Sequence, residues 1–548
     1  MITRIHKGEP GTLLQSADGL GQAVLPLCLL ARGWIAARTT VADVERASPS
    51  LEVAPRQRGL ARFESPAWVL CLLALWLLVS LGWRPLLLPD EGRYGNVARE
   101  MLAGDWMVPT LNGLPFFHKP PLLYWLDMAA MQVFGVNAFA ARSGPAFGAW
   151  LMGASLYLGM RHWQGPRSAV LALGLLATCP LYFISAQYAN HDMLVAGFIT
   201  ATTLGWVRAL DEPGRGMLGW LLLGWAACAL AVLSKGLIGM LLPALVIGPW
   251  LVARGRWTQV FRLLHPAGLL VFALVALPWF VTMQYRYPGF FDYFVMEQHF
   301  RRFALSTFNN VQPFWFFLAV LPALTLPWSA WLHKAFRIAW SSGDARAGLC
   351  VWWVLAVVGF FSLPSSKIVG YVLPALAPWC ALLAIAVAGA RARLVWWVMG
   401  CSGLLCLAIV AALAWQAPTS NRRLAMVLAA HFAPGERVVM VDDYLSDVPF
   451  YARLVQPVRI AGDWVDPELP HRDNWRKEVF DAGRFDPERA SALLWPLNGL
   501  EALACGESGS WFIVRPGQAQ RVTSLPGAAR MFADTRFELW HTSAYPCR

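Results

Sequence analysis

The sequence predicts a polytopic α-helical membrane protein carrying one small α/β domain outside the bilayer. Three observations predict it. The 548-residue chain is 57% hydrophobic and only 14% charged, whereas soluble domains carry about a quarter charged residues. Apolar runs of roughly 20 residues, the length that crosses a bilayer, recur between residues 66 and 415. After Trp415 they give way to short helical and strand-like segments of ordinary polarity.

Residues 1–64 are basic and hold no such run. The stretch 25–35 is short, is broken by Arg32 and lacks a small-residue cleavage site, so it does not read as a signal peptide. We take 1–64 as a disordered cytoplasmic arm. Residues 65–415 form the membrane domain, with spans at 66–87, 138–160, 167–187, 193–210, 217–234, 236–253, 266–283, 313–332, 348–363, 368–390 and 394–415. The loops 161–167, 208–215, 254–262, 333–346 and 391–393 are basic and fall on alternate sides of the spans. The positive-inside rule makes that side cytoplasmic. It puts the first outer loop, 88–137, and the C-terminal region, 416–548, outside the cytoplasm. The formal charge of +12 thus sets topology and does not point to nucleic acid. The 29 tryptophans and 30 phenylalanines suit bilayer interfaces.

Beyond Trp415, helical signals (421–431, 444–454, 487–494) alternate with strand-like runs (437–441, 458–461, 511–515, 537–541). The region has no Gly-rich phosphate loop, metal-ligand spacing or nucleophile elbow, and reads as a lid or an acceptor-recognition domain. Most of the ten cysteines sit singly in apolar spans, as packing residues do. Cys505 and Cys547 are the ones in the polar C-terminal region. In an oxidising compartment they form a disulfide; otherwise they are two free thiols.

The charged groups at the outer span ends are Asp90, Glu91, His118, Lys119, Asp192, Lys235, Glu297, Arg301, Arg302 and Lys367. Charges near lipid need partners or water, and one outward pocket explains them together; separate interfacial anchors are the plainer account. The stretch 88–125 is the centre of the set. Asp90 and Glu91 begin a helix in which Asp90 fits an N-cap. Tyr94, Val97, Ala98, Met101 and Leu102 form its apolar face, which predicts a helix lying on the membrane surface. Arg93, Asn96 and Glu100 point the other way. Pro120 and Pro121 fix the direction of His118 and Lys119. Lys119 beside a carboxylate pair suits a phosphate clamp. Asp192 is a second outer acid or a helix cap.

Four stretches carry a resemblance: PDEGRYGNVAREMLAGDWMVPTLNGLPFFHKPPLLYW (89–125), LSKGLIGMLLP (233–243), QHFRRF with PFWFF (298–317) and FFSLPSSKIVGYVLPALAP (360–378). In these the chain resembles the bacterial lipid A 4-amino-4-deoxy-L-arabinose transferase family. Its members are GT-C membrane glycosyltransferases related to protein O-mannosyltransferases. The resemblance implies a GT-C fold of 13 spans where the apolar runs give eleven. It also implies an undecaprenyl phosphate-linked aminosugar donor, lipid A phosphate as acceptor, and polymyxin resistance as the outcome. By motif it makes Asp90, Lys119 and Asp192 catalytic. Glu91, Arg93, Tyr94, Lys235, Arg302, Lys367 and Tyr371 fall around the substrate and the carrier phosphate. The family has Glu-Lys-Pro where this chain has His118-Lys119-Pro120, and Glu-His-Phe where it has Gln298-His299-Phe300. Both differences remove a carboxylate. Family members can bind zinc near these positions, which makes His118 and His299 candidate ligands, although the transfer itself requires no cofactor. Membrane lipids are the expected surroundings and a monomer the expected state. A transferase using another sugar or a protein hydroxyl, a lipid flippase or transporter, and an envelope scaffold are the competing readings.

Overall fold

The structure, a computed structural model, describes residues 65–301 and 310–547, excluding the side chains of 299–301. The arm 1–64, Arg302 and the His299 side chain lie outside the described residues.

A helix occupies each expected span: Pro66–Leu78, Ser143–Gln164, Pro166–Ala177 with Pro180–Ala186, His191–Asp211, Gly214–Lys235, Ile238–Ala253, Pro266–Arg286, Phe316–Leu324, Ala345–Ser362, Leu376–Val387 and Ala392–Gln416. By length and composition, six of the described helices qualify to cross a membrane, or up to eight if each bent pair is one span. Eleven to thirteen were expected. Proline accounts for part of the difference, because it lacks a backbone N–H and clashes with the preceding turn. Pro180 starts a new helix after a 67° bend, and the run from Phe316 bends by 108° ahead of Trp328. Helices Ser143–Gln164 and His191–Asp211 cross in close contact, since a Cβ on Gly197 would lie 2.1 Å from the Gly148 carbonyl oxygen. Small residues allow such approach inside a bilayer. This crossing holds the start of His191–Asp211, and with it Asp192, under the outer loop.

That loop folds as helix Asp90–Ala103, a hairpin of β1 (Thr110–Leu111) and β2 (Leu114–Pro115), and helix Leu122–Phe134. Asn112 and Gly113 both take positive φ (56° and 74°), the geometry of a tight hairpin turn. Both their N–H groups donate to the Glu100 carboxylate, at 3.0 and 2.8 Å. Tyr94, Val97, Ala98 and Met101 are buried as expected, but so are Asn96 and Arg99. The helix does not lie open on the membrane surface, because the C-terminal region covers its polar side. Arg99 donates to the Leu454 carbonyl at 2.6 Å, and Asn112 exchanges two 2.8 Å hydrogen bonds with the Val458 backbone.

The C-terminal region is a six-stranded mixed sheet of order β5-β4-β3-β6-β8-β7. Its strands are β3 (Arg437–Val441), β4 (Arg459–Gly462), β5 (Leu494–Pro496), β6 (Ser510–Val514), β7 (Ala529–Ala533) and β8 (Glu538–Thr542). β3 to β6 run parallel, and β8 runs antiparallel to β6 and β7. Four of these strands and helices Arg422–His431, Asp447–Ala452 and Pro487–Leu493 match sequence expectations. β5, β7 and helix Trp475–Gly483 do not. β5 has three residues, and β7 is largely exposed, so neither shows an apolar alternation. Cys505 and Cys547 are disulfide-bonded.

Candidate functional site

The outer ends of these elements enclose a cleft of about 400 Å3. It gathers Asp90, Arg93, Tyr94, His118, Lys119, Asp192, Lys235 and Tyr371 from separate parts of the chain. Three carboxylates (Asp90, Asp192 and Glu478) and three cations (Arg93, Lys119 and Lys235) line it.

Asp90 is the first residue of its helix, Pro89 holds the cap position, and no side chain caps that end. Asp90 is therefore free of the capping role that the sequence allowed. Its carboxylate, about one-third exposed, faces the cleft and pairs with Arg93. Arg93 also pairs with Glu478, donates to the Tyr94 hydroxyl at 3.2 Å, and lies 4.7 Å from that ring's centre. Burial raises the Tyr94 phenol far above its ordinary value, so it stays protonated and able to donate.

Asp192 is likewise not a cap: Asn190 caps His191–Asp211, accepting from the Asp192 N–H at 3.0 Å. The Asp192 carboxylate pairs with Lys235, whose ammonium lies 4.6 Å from the centre of the Tyr371 ring. Gly370 passes so close that a Cβ there would fall 2.1 Å from Asp192 Oδ2 and 2.9 Å from its Cβ. Lys235 and Asn190 both hold that carboxylate, so it has little freedom to yield. Gly370→Ala is expected to lower turnover about 100-fold, the scale of a 1 Å misplacement, in a protein that still folds. The check is kcat together with thermal unfolding of the purified variant; undiminished turnover would show that this position of Asp192 is not needed.

Two expected site residues lie elsewhere. Glu91 is fully buried and does not border the cleft. Its carboxylate takes Arg84, Arg142 (2.8 and 3.1 Å), and the N–H groups of Leu87 and Ala189 (each 3.0 Å). Every lone pair is engaged, so no substrate can reach it. Lys367 is also buried, and its ammonium donates to the carbonyls of Gln312 (2.9 Å) and Pro364. It ties 310–312 to 364–367 and does not face the cleft. Arg302 lies outside the described residues.

His118 stacks on Phe116, with ring centres 4.5 Å apart, and lies 5.9 Å from Tyr293. Among the described residues no group of three or more His, Cys, Asp or Glu side chains could hold a metal ion. The His299 side chain is not among them.

Sequence reasoning missed Glu478, Tyr188 and His191. Glu478 sits on helix Trp475–Gly483, where Asn474 accepts from the Lys477 N–H at 3.2 Å and Val479 and Ala482 are buried. An Asn cap followed by that spacing was the available signal. His191 is 2% exposed, packs edge-on against Tyr94 and Tyr124, and has no hydrogen-bond partner at either ring nitrogen among the described residues.

A family model described as dolichyl-phosphate-mannose-protein mannosyltransferase matches residues 68–294. The undecaprenyl phosphate-alpha-4-amino-4-deoxy-L-arabinose arabinosyl transferase 2 of Sodalis glossinidius is 37% identical over 352 residues, 63% of this chain and 64% of that protein. The corresponding transferase of Erwinia tasmaniensis is 35% identical over 318 residues, 57% of each. The chain thus spans less than two thirds of the length of these curated relatives. The crystal structure of ArnT from Cupriavidus metallidurans bound to undecaprenyl phosphate matches with a TM-score of 0.75 at 23% identity, covering 87% of this chain and 97% of that one. Its apo form gives 0.74 at 21%. The resemblance read from the motifs is borne out by these relatives, and the GT-C fold is borne out along most of the chain.

Proposed function

We propose, from this kinship with the lipid A aminoarabinose transferase family, that the chain is an inverting glycosyltransferase. It moves 4-amino-4-deoxy-L-arabinose from undecaprenyl phosphate to a lipid A phosphate, and so confers resistance to polymyxin and other cationic peptides. The observation that carries the reading is one cleft in which Asp90, Asp192 and Glu478 meet Arg93, Lys119 and Lys235. The polyprenyl tail of the donor would lie along the apolar helices that carry the cleft. The protein sits in the bacterial inner membrane with its N-terminus inside and the C-terminal region in the periplasm. The basic loops support that orientation, and so does the Cys505–Cys547 bond.

An acceptor oxygen attacks the anomeric carbon from the face opposite the carrier. The bond from that carbon to the phosphate oxygen breaks, and the carrier leaves as undecaprenyl phosphate with the bonding pair. Lys119 and Lys235 stabilise the departing charge, an electrostatic effect that is commonly the largest in such sites. Asp90 orients the acceptor. An ionised phosphate needs no base, whereas a hydroxyl gives its proton to Asp90. Asp192 holds Lys235 in place, and Glu478 holds Arg93.

The mannosyltransferase family model over residues 68–294 favours a second reading, transfer to a protein hydroxyl. Mass analysis of products made by the purified protein from a defined undecaprenyl-linked aminosugar separates the two. Lipid A heavier by one aminopentose is expected. Unmodified lipid A beside a glycosylated protein would overturn the main reading.

A further inference from the structure

A second cleft, of about 580 Å3, opens in the C-terminal region and shares no lining residue with the first. Arg437, Arg453 and Arg459 line it. Val439 and Arg459 are partners in the parallel register of β3 and β4. Arg437 lies two residues before Val439, so its side chain returns to the same face of the sheet as Arg459. Arg453 stands just beyond helix Asp447–Ala452 with φ 52°. Among the described residues none of the three is paired with a carboxylate; Arg437 donates to the Cys505 carbonyl at 3.3 Å. The acid that lines the cleft, Glu436, is already engaged. Its Oε2 accepts from Ala433 N (2.8 Å) and Trp511 Nε1 (2.6 Å), and its Oε1 meets His541 Nε2 at 2.8 Å. Burial, and then the neighbouring Arg437, push Arg459 below its ordinary value. Half-buried guanidiniums side by side without a counter-charge cost the folded state. Their planar forks match phosphate oxygens two at a time.

We propose that this cleft binds a phosphate-bearing ligand, gripped by Arg437 and Arg459 with Arg453 at the rim. The proposal deepens the reading above: where the acceptor is a phosphorylated glycolipid, the cleft anchors such a headgroup apart from the reacting centre. A free phosphate compound would be held by the same groups. The wall of the cleft is fastened to the first outer loop, since the Leu454 carbonyl accepts from Arg99 and Val458 is bonded to Asn112. A ligand here therefore rests against a wall that is tied to the loop carrying Asp90.

The test uses full-length protein in detergent carrying Lys119→Ala, which removes a cation from the first cleft. It is titrated with inorganic pyrophosphate and, separately, with phosphatidylcholine vesicles containing or lacking lipid A. Adding Arg437→Gln with Arg459→Gln is expected to weaken binding about tenfold or more in at least one arm, the scale of lost charge-assisted hydrogen bonds. Loss confined to lipid A vesicles identifies a lipid headgroup; loss of pyrophosphate binding identifies a general phosphate site. Arg453→Glu, at an exposed position, is expected to weaken binding in the same arm and serves if the double variant does not fold. Folded variants that bind both probes as tightly as the parent would overturn the proposal. Binding is read without turnover, so a failure of sugar transfer leaves this result interpretable.

Discussion

Lys119→Ala is expected to reduce sugar transfer by at least about 100- to 1,000-fold, the cost of removing one preorganised charge-stabilising group, while the protein still reaches the membrane. Asp90→Ala is expected to match it. Lys119 lines the cleft together with Asp90, Asp192 and Glu478, and in the proposed transfer it meets the charge of the departing phosphate. Asp90→Asn makes a sharper probe, because it keeps the shape and removes the charge. A hydroxyl acceptor loses its general base in that variant, a loss of about 100- to 10,000-fold. An ionised phosphate acceptor loses only orientation, and the deficit is smaller. Turnover of the purified variants with a polyprenyl-linked donor checks all three. Near-normal rates in both alanine variants would remove the catalytic assignment of this loop.

The second large effect is on the fold. Glu91→Ala leaves Arg84 and Arg142 buried without a counter-charge, and breaking a buried pair in this way costs about 3–5 kcal/mol. Arg142 also donates to the carbonyls of Leu81, Arg84 and Pro85. Losing Glu91 therefore loosens the junction between the first span and the outer loop. Burial alone would raise the Glu91 carboxyl; Arg142 and Arg84 outweigh it and bring it down to about 2 from 4.5. A carboxyl lowered on folding stabilises the folded state above its unfolded value. That stabilisation fades as pH falls from about 4.5 toward about 2. The parent should therefore lose thermal stability over this acid range. Glu91→Ala should be unstable already at pH 7 and show less further loss there. Equal unfolding temperatures for parent and variant at pH 7 would contradict the assignment.

The sequence made the helices and most of the cleft legible for one reason: apolar runs and outer charges both follow from the bilayer. Asp90, Arg93, Tyr94, Lys119, Asp192, Lys235 and Tyr371 do meet. The failures have a common cause too. Glu91 and Lys367 are charged residues at outer span ends like the others, and only three-dimensional packing distinguishes an internal tie from a cleft group. Glu478 was invisible because it is far along the chain, in a helix whose single cap and two apolar positions give a weak signal. The two motif positions at which the resemblance leads one to expect a carboxylate converge on one side chain. Tyr293 receives a hydrogen bond from Gln298 at 3.1 Å, and the His118 ring lies beside it. The Tyr293 hydroxyl donates in turn to the Asp481 carboxylate at 3.3 Å.

Arg93 and Glu478 are 385 positions apart, yet their contact closes one wall of the cleft. A ribosome releases the first outer loop long before it reaches helix Trp475–Gly483. Throughout most of synthesis the early segment waits with an incomplete wall. The complete cleft exists only once nearly the whole polypeptide has been made and its tail has docked.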